Sequence, residues 1–506
     1  MPRHNVTSES STGLGSKESK KRKIKRPIWD PNVCYELSSS SPTCTSDEEA
    51  ICISTLSLPS SPSCGVELLR MASIDYLRKQ LTKLRKRRRM KEEKKEMKYG
   101  VMVVERWCMR YFLKHVCTED DDPVIPNPSD DMEIDAGFVL DLMQAGGNTE
   151  EEVRLVVKDF YKLCKNEASA ISKKAKAAEK TKKSLERVIV VRHKHSYDVM
   201  LSKNKKKLLK INPAHYDKLQ AMYTRQQHRV LSKSTERGKT ATVPFDDVEE
   251  FHRRLYCVLA RYHSIQGHGF QAACTEHVFE VMHRHFGVNL ECFASPLNSF
   301  YALHCSSFPD TDACFGSLGS FFNFYPQNGS FEANPPFISE IMLKMVLHIE
   351  LLFSNANGRL SFIVVVPGWE ECEAFQRLSA SSFTQKVVPI AQADHGFCDG
   401  ASHQRRDRYR ISPYDTFFFF LQNEKAEEKW PITDTAILEL KESMANGVPS
   451  PSMQARHDKS GRGTDDVARG VYKGKKSRAT GDGVMKRKRE EIRMKNQKRK
   501  CASRAA

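Results

Sequence analysis

Ile74, Leu77, Leu81 and Leu84 recur at spacings of 3, 4 and 3, which sets four apolar side chains on one face of a helix. Arg85 to Arg89 continues that helix as a basic ridge, and with Arg106-Trp107 beyond it the region reads as able to face RNA. Asp120-Asp121-Asp122-Pro123 and Pro126-Asn127-Pro128 break the period into a loop. A second helix runs from about Glu150 to Arg187, with Val153, Val156, Phe160 and Leu163 on its apolar side and lysines outward. Val188 to Val191 reads as a short strand. A helix near Tyr216 to Tyr223 then leads into a polar linker around Ser232 to Thr242.

From about 245 to 432 the texture changes. Asp246 to Tyr262 and Ile338 to Phe353 read as helices. Val288 to Phe293, Phe331 to Ala333, Leu360 to Val366, Lys386 to Ile390 and Thr416 to Leu421 read as strands. Strands alternating with helices predict an α/β layer, a mostly parallel sheet with helices on both faces. Phe362 to Val366 and Phe417 to Phe420 are continuously apolar, as central strands covered on both faces should be.

Composition adds the flanks. Residues 1–65 are rich in Ser, Pro and charge and predict a disordered tail; the stretch 433–506 predicts a second, basic and largely disordered one. The excess of 81 Lys and Arg over 63 Asp and Glu points to an acidic partner such as nucleic acid. Lys20 to Arg26, Lys486 to Arg489 and Lys498 to Lys500 suit nuclear import, so the nucleus is the expected compartment. No apolar run reaches the ~20 residues of a membrane helix, and the start lacks a secretory pattern, so no membrane partner is expected. No two of the 15 cysteines lie two or three residues apart, and no metal site is expected.

One tetrapeptide carries chemistry: Asn334-Pro335-Pro336-Phe337, after a short strand and before a long helix. Ligands of open α/β sheets bind beyond the carboxyl ends of strands, where this loop falls. Two prolines fix the backbone and remove two N–H donors, leaving carbonyls free to accept. Asn334 adds a side-chain oxygen and Phe337 a flat ring. Acceptors beside a stacking ring suit the exocyclic amine of adenine or cytosine, whose lone pair is delocalised until the amine is held toward tetrahedral geometry. Orientation and electrostatics would then supply the catalysis. The structural alternative is a proline-stiffened turn capping a helix.

This loop resembles motif IV of class I, S-adenosylmethionine-dependent amino-methyltransferases. Its surroundings narrow the likeness: Glu291-Cys292-Phe293-Ala294-Ser295-Pro296-Leu297-Asn298, Phe308-Pro309-Asp310-Thr311-Asp312, Phe315-Gly316-Ser317-x-Gly319 and Ser330-Phe331-Glu332-Ala333. With Phe279-Glu280-Val281, Phe420-Leu421-Gln422-Asn423 and Lys429-Trp430, they resemble the phosphorylated-CTD-interacting-factor family of cap-specific adenosine methyltransferases. Weaker traces are Ile28-Trp29-Asp30, Glu67-Leu68-Leu69-Arg70 and Glu105-Arg106-Trp107.

The resemblance implies a Rossmann-like class I methyltransferase domain (243–432) beside a mainly helical RNA- and cap-binding domain (66–242). It implies nuclear N6-methylation of the 2′-O-methyladenosine next to the cap of mRNA, with S-adenosyl-L-methionine as cofactor. Asn334, Pro335, Pro336 and Phe337 would hold the adenine. Phe293, Ala294, Ser295, Pro296 and Asn298 would form the methyl-donor loop, with Asn334, Pro335 and Phe337 beside it. Arg106, Trp369, Glu370 and Glu371 would meet the cap, Trp369 by stacking on a cationic methylguanine; an ordinary strand-end tryptophan is its alternative. The chain departs from the family in three places. Its tryptophans, Trp29, Trp107, Trp369 and Trp430, lack the pair about twenty residues apart that a WW domain needs, which removes the expected module for the phosphorylated tail of RNA polymerase II. Ser339, with Glu340 next door, stands where the family has Glu, and no second cap arginine lies near Phe138-Val139-Leu140. The rival readings are a catalytically silent RNA-binding adaptor on the same fold and an adenine-N6 methyltransferase of internal RNA or DNA.

Overall fold

The computed structural model describes residues 27–35, 63–88, 96–115, 121–146, 149–181, 186–236, 248–265, 271–405 and 408–448. The terminal basic clusters, Arg89 and the linker from 237 to 242 lie outside them. No helix among the described residues is long and apolar enough to cross a membrane.

Helix α1, Cys64–Arg87, starts where the Ser63 hydroxyl accepts the Val66 N–H, and it buries Met71, Ile74, Leu77 and Leu81. It is followed by α2 (Glu96–Lys114), α3 (Ala136–Gln144) and α4 (Glu150–Thr181). The expected RNA-facing ridge takes a different form here. Arg85 is buried and donates to the Ala145 carbonyl, and Arg88 pairs with Asp159 at 3.3 Å. Trp107 is 1% exposed and stacks at 5.0 Å on both Phe138 and Tyr161, so it is a core ring. A ring this size has much apolar area to bury, and four aromatics, Tyr111, Phe138, Phe160 and Tyr161, cover it.

An antiparallel meander follows, β1 (Val188–Arg192), β2 (Tyr197–Leu201) and β3 (Asn204–Ile211). Only β1 was expected. Asp198 in β2 and the run Lys205-Lys206-Lys207 in β3 obscure the inward alternation of Val199, Leu201, Leu209 and Ile211, all buried. Helix α5, Pro213–Glu236, and α6, Val248–Ile265, complete this body. Although α6 lies beyond the sequence boundary at 242, Phe251, Leu255 and Leu259 share one core with α1 and α4. Its Arg261 is fully buried between Glu67 of α1 and Asp310, each at 2.7 Å. Asp310 belongs to the short α8, Pro309–Asp312, which follows α7, Glu276–Phe286. Helix α7 stops at Gly287, in the left-handed region at φ 67°, where a Cβ would strike the Trp430 ring.

The main sheet is built from β4 (Gly329–Ala333), β5 (Leu360–Pro367) and β6 (Thr384–Ile390); β4 leads into α9 (Ser339–Asn355) and β5 into α10 (Glu373–Ala380). A small pair, β7 (Gly396–Cys398) and β8 (Tyr409–Ile411), precedes β9 (Thr416–Gln422), α11 (Glu424–Lys429) and α12 (Asp434–Ala445). The order is β4-β5-β9-β6, with β4 parallel to β5 and β9 antiparallel to both β5 and β6. Val288 to Phe293, expected as a strand, runs parallel to β4 around a Glu291–Glu332 bridge, with Asn289 N–H donating to Ser330 O at 3.2 Å, Glu332 N–H to Leu290 O at 3.0 Å and Cys292 N–H to Glu332 O at 2.8 Å. Parallel bridges from Glu291 to His304 and from His304 to Ser317 continue outward. Along β5, Phe362, Val364 and Val366 face the core under α9, while Ile363 and Val365 face the core under α7 and α12.

Both expected tails include packed segments. In the first, Asp30 N–H donates to Phe300 O at 2.8 Å, Val33 is buried, and the Tyr35 hydroxyl donates to Asn328 O at 3.0 Å. In the second, α12 buries Ile437, Leu440 and Met444 against the sheet. The charges between them, Glu439, Lys441 and Glu442, hide this apolar stripe in the sequence.

Candidate active site

Ser317, His304 and Glu291 extend the sheet on one side in reverse chain order, and β4 continues it on the other. The sheet's direction of winding therefore reverses between Glu291 and β4. Crevices at such a point receive ligands beyond the carboxyl ends of the strands. Two segments leave there: the loop 292–298 and Asn334-Pro335-Pro336-Phe337.

In the second, Asn334 is 8% exposed and its Nδ2 donates to Ala272 O at 3.3 Å, so its Oδ1 is the acceptor left to the crevice. Ile338 N–H donates to Pro336 O at 2.7 Å, closing the turn into α9. That bond occupies the Pro336 carbonyl and makes the Pro335 carbonyl the freer acceptor. Phe337 is half-buried and meets Trp369 edge-on, 6.3 Å between centroids at 73°. Trp369 lies in the turn after β5, its own N–H donating to Pro367 O at 2.7 Å, and it meets Tyr414 edge-on at 5.4 Å. Glu370 and Glu371 are exposed beside it. Phe337 and Trp369 are thus brought together as sides of one aromatic corner, to which Tyr414 adds a third ring that the sequence did not single out.

The loop 292–298 is internally braced. The Ser295 N–H and hydroxyl both donate to Asn298 Oδ1, at 2.7 and 2.8 Å, and Asn298 Nδ2 donates to Gln271 O at 3.0 Å. Ala294 N–H donates to Cys305 O at 2.9 Å, Pro296 is buried, and the Phe293 ring lies 5.2 Å from Phe321. Adjacent carbonyls of Gln271 and Ala272 therefore orient the asparagines of both loops. No side-chain pattern announces a backbone carbonyl, which is why sequence reading passed over this segment.

Behind the crevice lie two buried carboxylates on neighbouring positions. Glu291 accepts the N–H groups of Phe300 and Tyr301 at 2.7 and 3.0 Å, fixing the chain as it leaves the 292–298 loop. Glu332 Oε1 has no partner, and burial together with the nearby Glu291 holds its pKa well above the carboxylate range. Lys218 of α5 reaches in to donate to Ser299 O at 2.5 Å, and burial lowers its pKa.

Arg106 does not stand free. Its Nη1 donates to Asp141 at 2.9 Å, and Arg110, one turn on, shares that carboxylate at 2.8 Å while pairing with Asp135 at 3.0 Å. Arg110 also approaches Glu340 of α9 to 4.0 Å, and Lys344 donates to Leu113 O at 3.0 Å. The arginine side of α2 is thus set against the helix that leaves Phe337. Arg110, which the sequence did not single out, makes the closer link.

Residues 218–400, spanning both loops and most of the sheet, match the family model described as the phosphorylated CTD interacting factor 1 WW domain. Over that stretch the chain is similar to the phosphorylated-CTD-interacting-factor family. A Homo sapiens protein named mRNA (2'-O-methyladenosine-N(6)-)-methyltransferase is 40% identical over 202 residues, 38% of this chain and 29% of the relative. A Mus musculus protein of the same name matches at 40% over 202 residues, with the same coverage. The chain thus spans less than a third of the length of these curated relatives. The family description names a WW domain where the sequence led us to expect none, so that expectation stands in conflict with it. Within the matched stretch the tryptophan is Trp369, and the described residues form helices and the mixed sheet rather than a small three-stranded module.

Proposed function

We propose that the chain is an S-adenosyl-L-methionine-dependent methyltransferase acting on N6 of the 2′-O-methyladenosine next to the mRNA cap, on a Rossmann-like class I fold. The observation that carries this reading is the Asn334 loop at the point where the sheet's winding reverses. Asn334 Oδ1 and the Pro335 carbonyl accept the two amine hydrogens and draw the lone pair out of the ring plane, toward the methyl group. Phe337 covers the base. The donor supplies an electrophilic methyl; the segment 292–298, with Asn298 clamped by Gln271, would hold it. The order Ser317–His304–Glu291–β4–β5–β9–β6, with one reversed strand second from the edge, supports the class I assignment. The relatives' printed name supports the substrate. Trp369, flanked by Phe337 and Tyr414, offers a face for a cationic guanine. The basic clusters at both ends support nuclear residence.

A second reading rests on Arg106. Because Asp141 already holds its guanidinium, the cap is left with fewer cationic contacts. That favours an enzyme methylating adenine in RNA or DNA without strict cap dependence. Incubating the purified chain with methyl donor and matched capped or uncapped RNAs, then digesting and weighing the nucleosides, separates the two. Methyl on the cap-adjacent adenosine alone supports the first. Methyl on internal adenosine supports the second, and no transfer to any RNA or DNA removes both in favour of a silent adaptor.

A further inference from the structure

The meander β1–β3 has no part in the site just described, yet it is strongly basic. Residues 187–210 contain eight lysines and arginines against one acidic residue, Asp198. Arg192, Lys194, Lys203 and Lys210 are exposed. Asp198 is itself engaged, by His193 at 2.9 Å and Lys210 at 3.9 Å. The outer face also carries the apolar Val191 and Leu208, each about 39% exposed, so phosphate and base could both find contacts there.

Its root is fixed to the catalytic half. At the end of β3, Asn212 N–H donates to His403 O at 2.7 Å and Asn212 Nδ2 to Ser402 O at 2.9 Å. Residues 396–405 and 408–414, joined by the β7–β8 pairing, make three contacts. Cys398 bridges Ala273, next to the carbonyl that orients Asn334. Ser402 and His403 hold the meander, and Tyr414 meets Trp369. A strand of RNA whose first nucleotides occupy the aromatic corner therefore has a basic sheet tied to the same support.

We propose that the outer face of the β1–β3 meander binds the RNA body downstream of the methylated nucleotide, chiefly through its phosphates. This rests on the reading of an RNA substrate given above. Lysines on an edge strand also discourage strand pairing, so charge alone could serve solubility. The RNA role is distinguished by dependence on substrate length.

The test compares the full chain with Lys194→Glu/Lys203→Glu and with Lys194→Arg/Lys203→Arg, on capped RNAs of four and of twenty nucleotides sharing cap and first nucleotides. The Glu variant should lose roughly tenfold in kcat/KM on the long RNA and show a shallower salt dependence by about 1.5 units of slope, the two lysines counted together. It should match wild type on the short RNA and in thermal midpoint, and the Arg variant should match wild type throughout. Unchanged kcat/KM on the long RNA overturns the proposal, as does an equal loss on both lengths. It is also overturned if the Glu variant binds long RNA normally but loses affinity for an acidic phosphopeptide, which would assign the face to a protein partner. Failure of wild type on the short capped RNA would instead strike the reading of the active site.

Discussion

Asn334 divides its side chain: its Nδ2 is spent on Ala272 O, which leaves its Oδ1 as an acceptor. Asn334→Ala removes an oriented acceptor from the transition state while leaving β4 and α9 in place. Turnover should fall by on the order of a hundredfold with donor binding retained, read by single-turnover kinetics and calorimetry. Turnover within twofold of wild type would make the loop a structural turn. The residues of this loop were legible because prolines, an amide and a ring declare their chemistry by type. The setting of Arg106 was less legible, since its partner Asp141 lies 35 residues away on another helix. Asp312 is a further residue whose behaviour depends on its surroundings. Burial pushes its carboxyl up to about 7, with Tyr262 and Thr311 hydroxyls donating to it at 2.6 and 2.8 Å. Its folded pKa exceeds the unfolded one near 3.8, so the folded protein holds this proton across that interval. The stabilisation is fully present below about pH 4 and is lost as pH rises through about 7. Wild type should lose about 1.4 kcal/mol per pH unit from this group within the window. Asp312→Asn should flatten that part of the profile in urea melts from pH 5 to 8. A variant with the same slope would assign it elsewhere.

Elements join this chain through ions as much as through apolar contact. Arg261 of α6 is fully buried between Glu67 of α1 and Asp310 of α8, and Glu67 also engages Arg70. Glu67-Leu68-Leu69-Arg70 and Phe308-Pro309-Asp310 therefore lie together as one strut between the helical body and the sheet, though 243 positions separate Glu67 from Asp310 in the chain. Glu67→Gln would leave Arg261 with Asp310 alone inside a largely dry interface. The loss should be about 3 kcal/mol in equilibrium unfolding, at the low end of what breaking a buried pair costs. A change under 1 kcal/mol would mean water already screens the site. Strands and helices with clean periods, such as α1, β5, β9 and α9, could be read from sequence directly. Those missed were either too short to show a period, as with β7 and β8, or had their alternation obscured by charge, as in β3 with its run Lys205-Lys206-Lys207. Val288 to Phe293 is apolar enough for a strand, and it pairs with β4 over the short stretch from Asn289 to Cys292.

At the scale of the molecule, the arginine side of α2 and the aromatic corner approach the same loop from opposite halves. Arg110 lies 4.0 Å from Glu340, three residues after Phe337, while Trp369 meets Phe337 from the sheet. Substrate choice should therefore depend on both halves, and the two contributions can be separated. Trp369→Ala removes a stacking face and should lower kcat/KM on 7-methylguanosine-capped RNA by roughly 1–2 kcal/mol, the scale of a partly desolvated cation–π contact. On RNA with an unmethylated guanosine cap the same change should cost less, because the neutral base gains nothing from the ring's quadrupole. Arg106→Ala should act on both caps alike and also on 5′-triphosphate RNA, since a guanidinium reads phosphate rather than base methylation. Its effect should be modest, as Asp141 neutralises the group before any RNA arrives. The measurement is kcat/KM for wild type and both variants on three RNAs with identical bodies. If wild type treats the three alike and Trp369→Ala lowers all equally, Trp369 braces Phe337 and does not read the cap. The Asn334 loop would then retain its amine chemistry, with selection of the adenine passing to the surfaces that hold the rest of the strand.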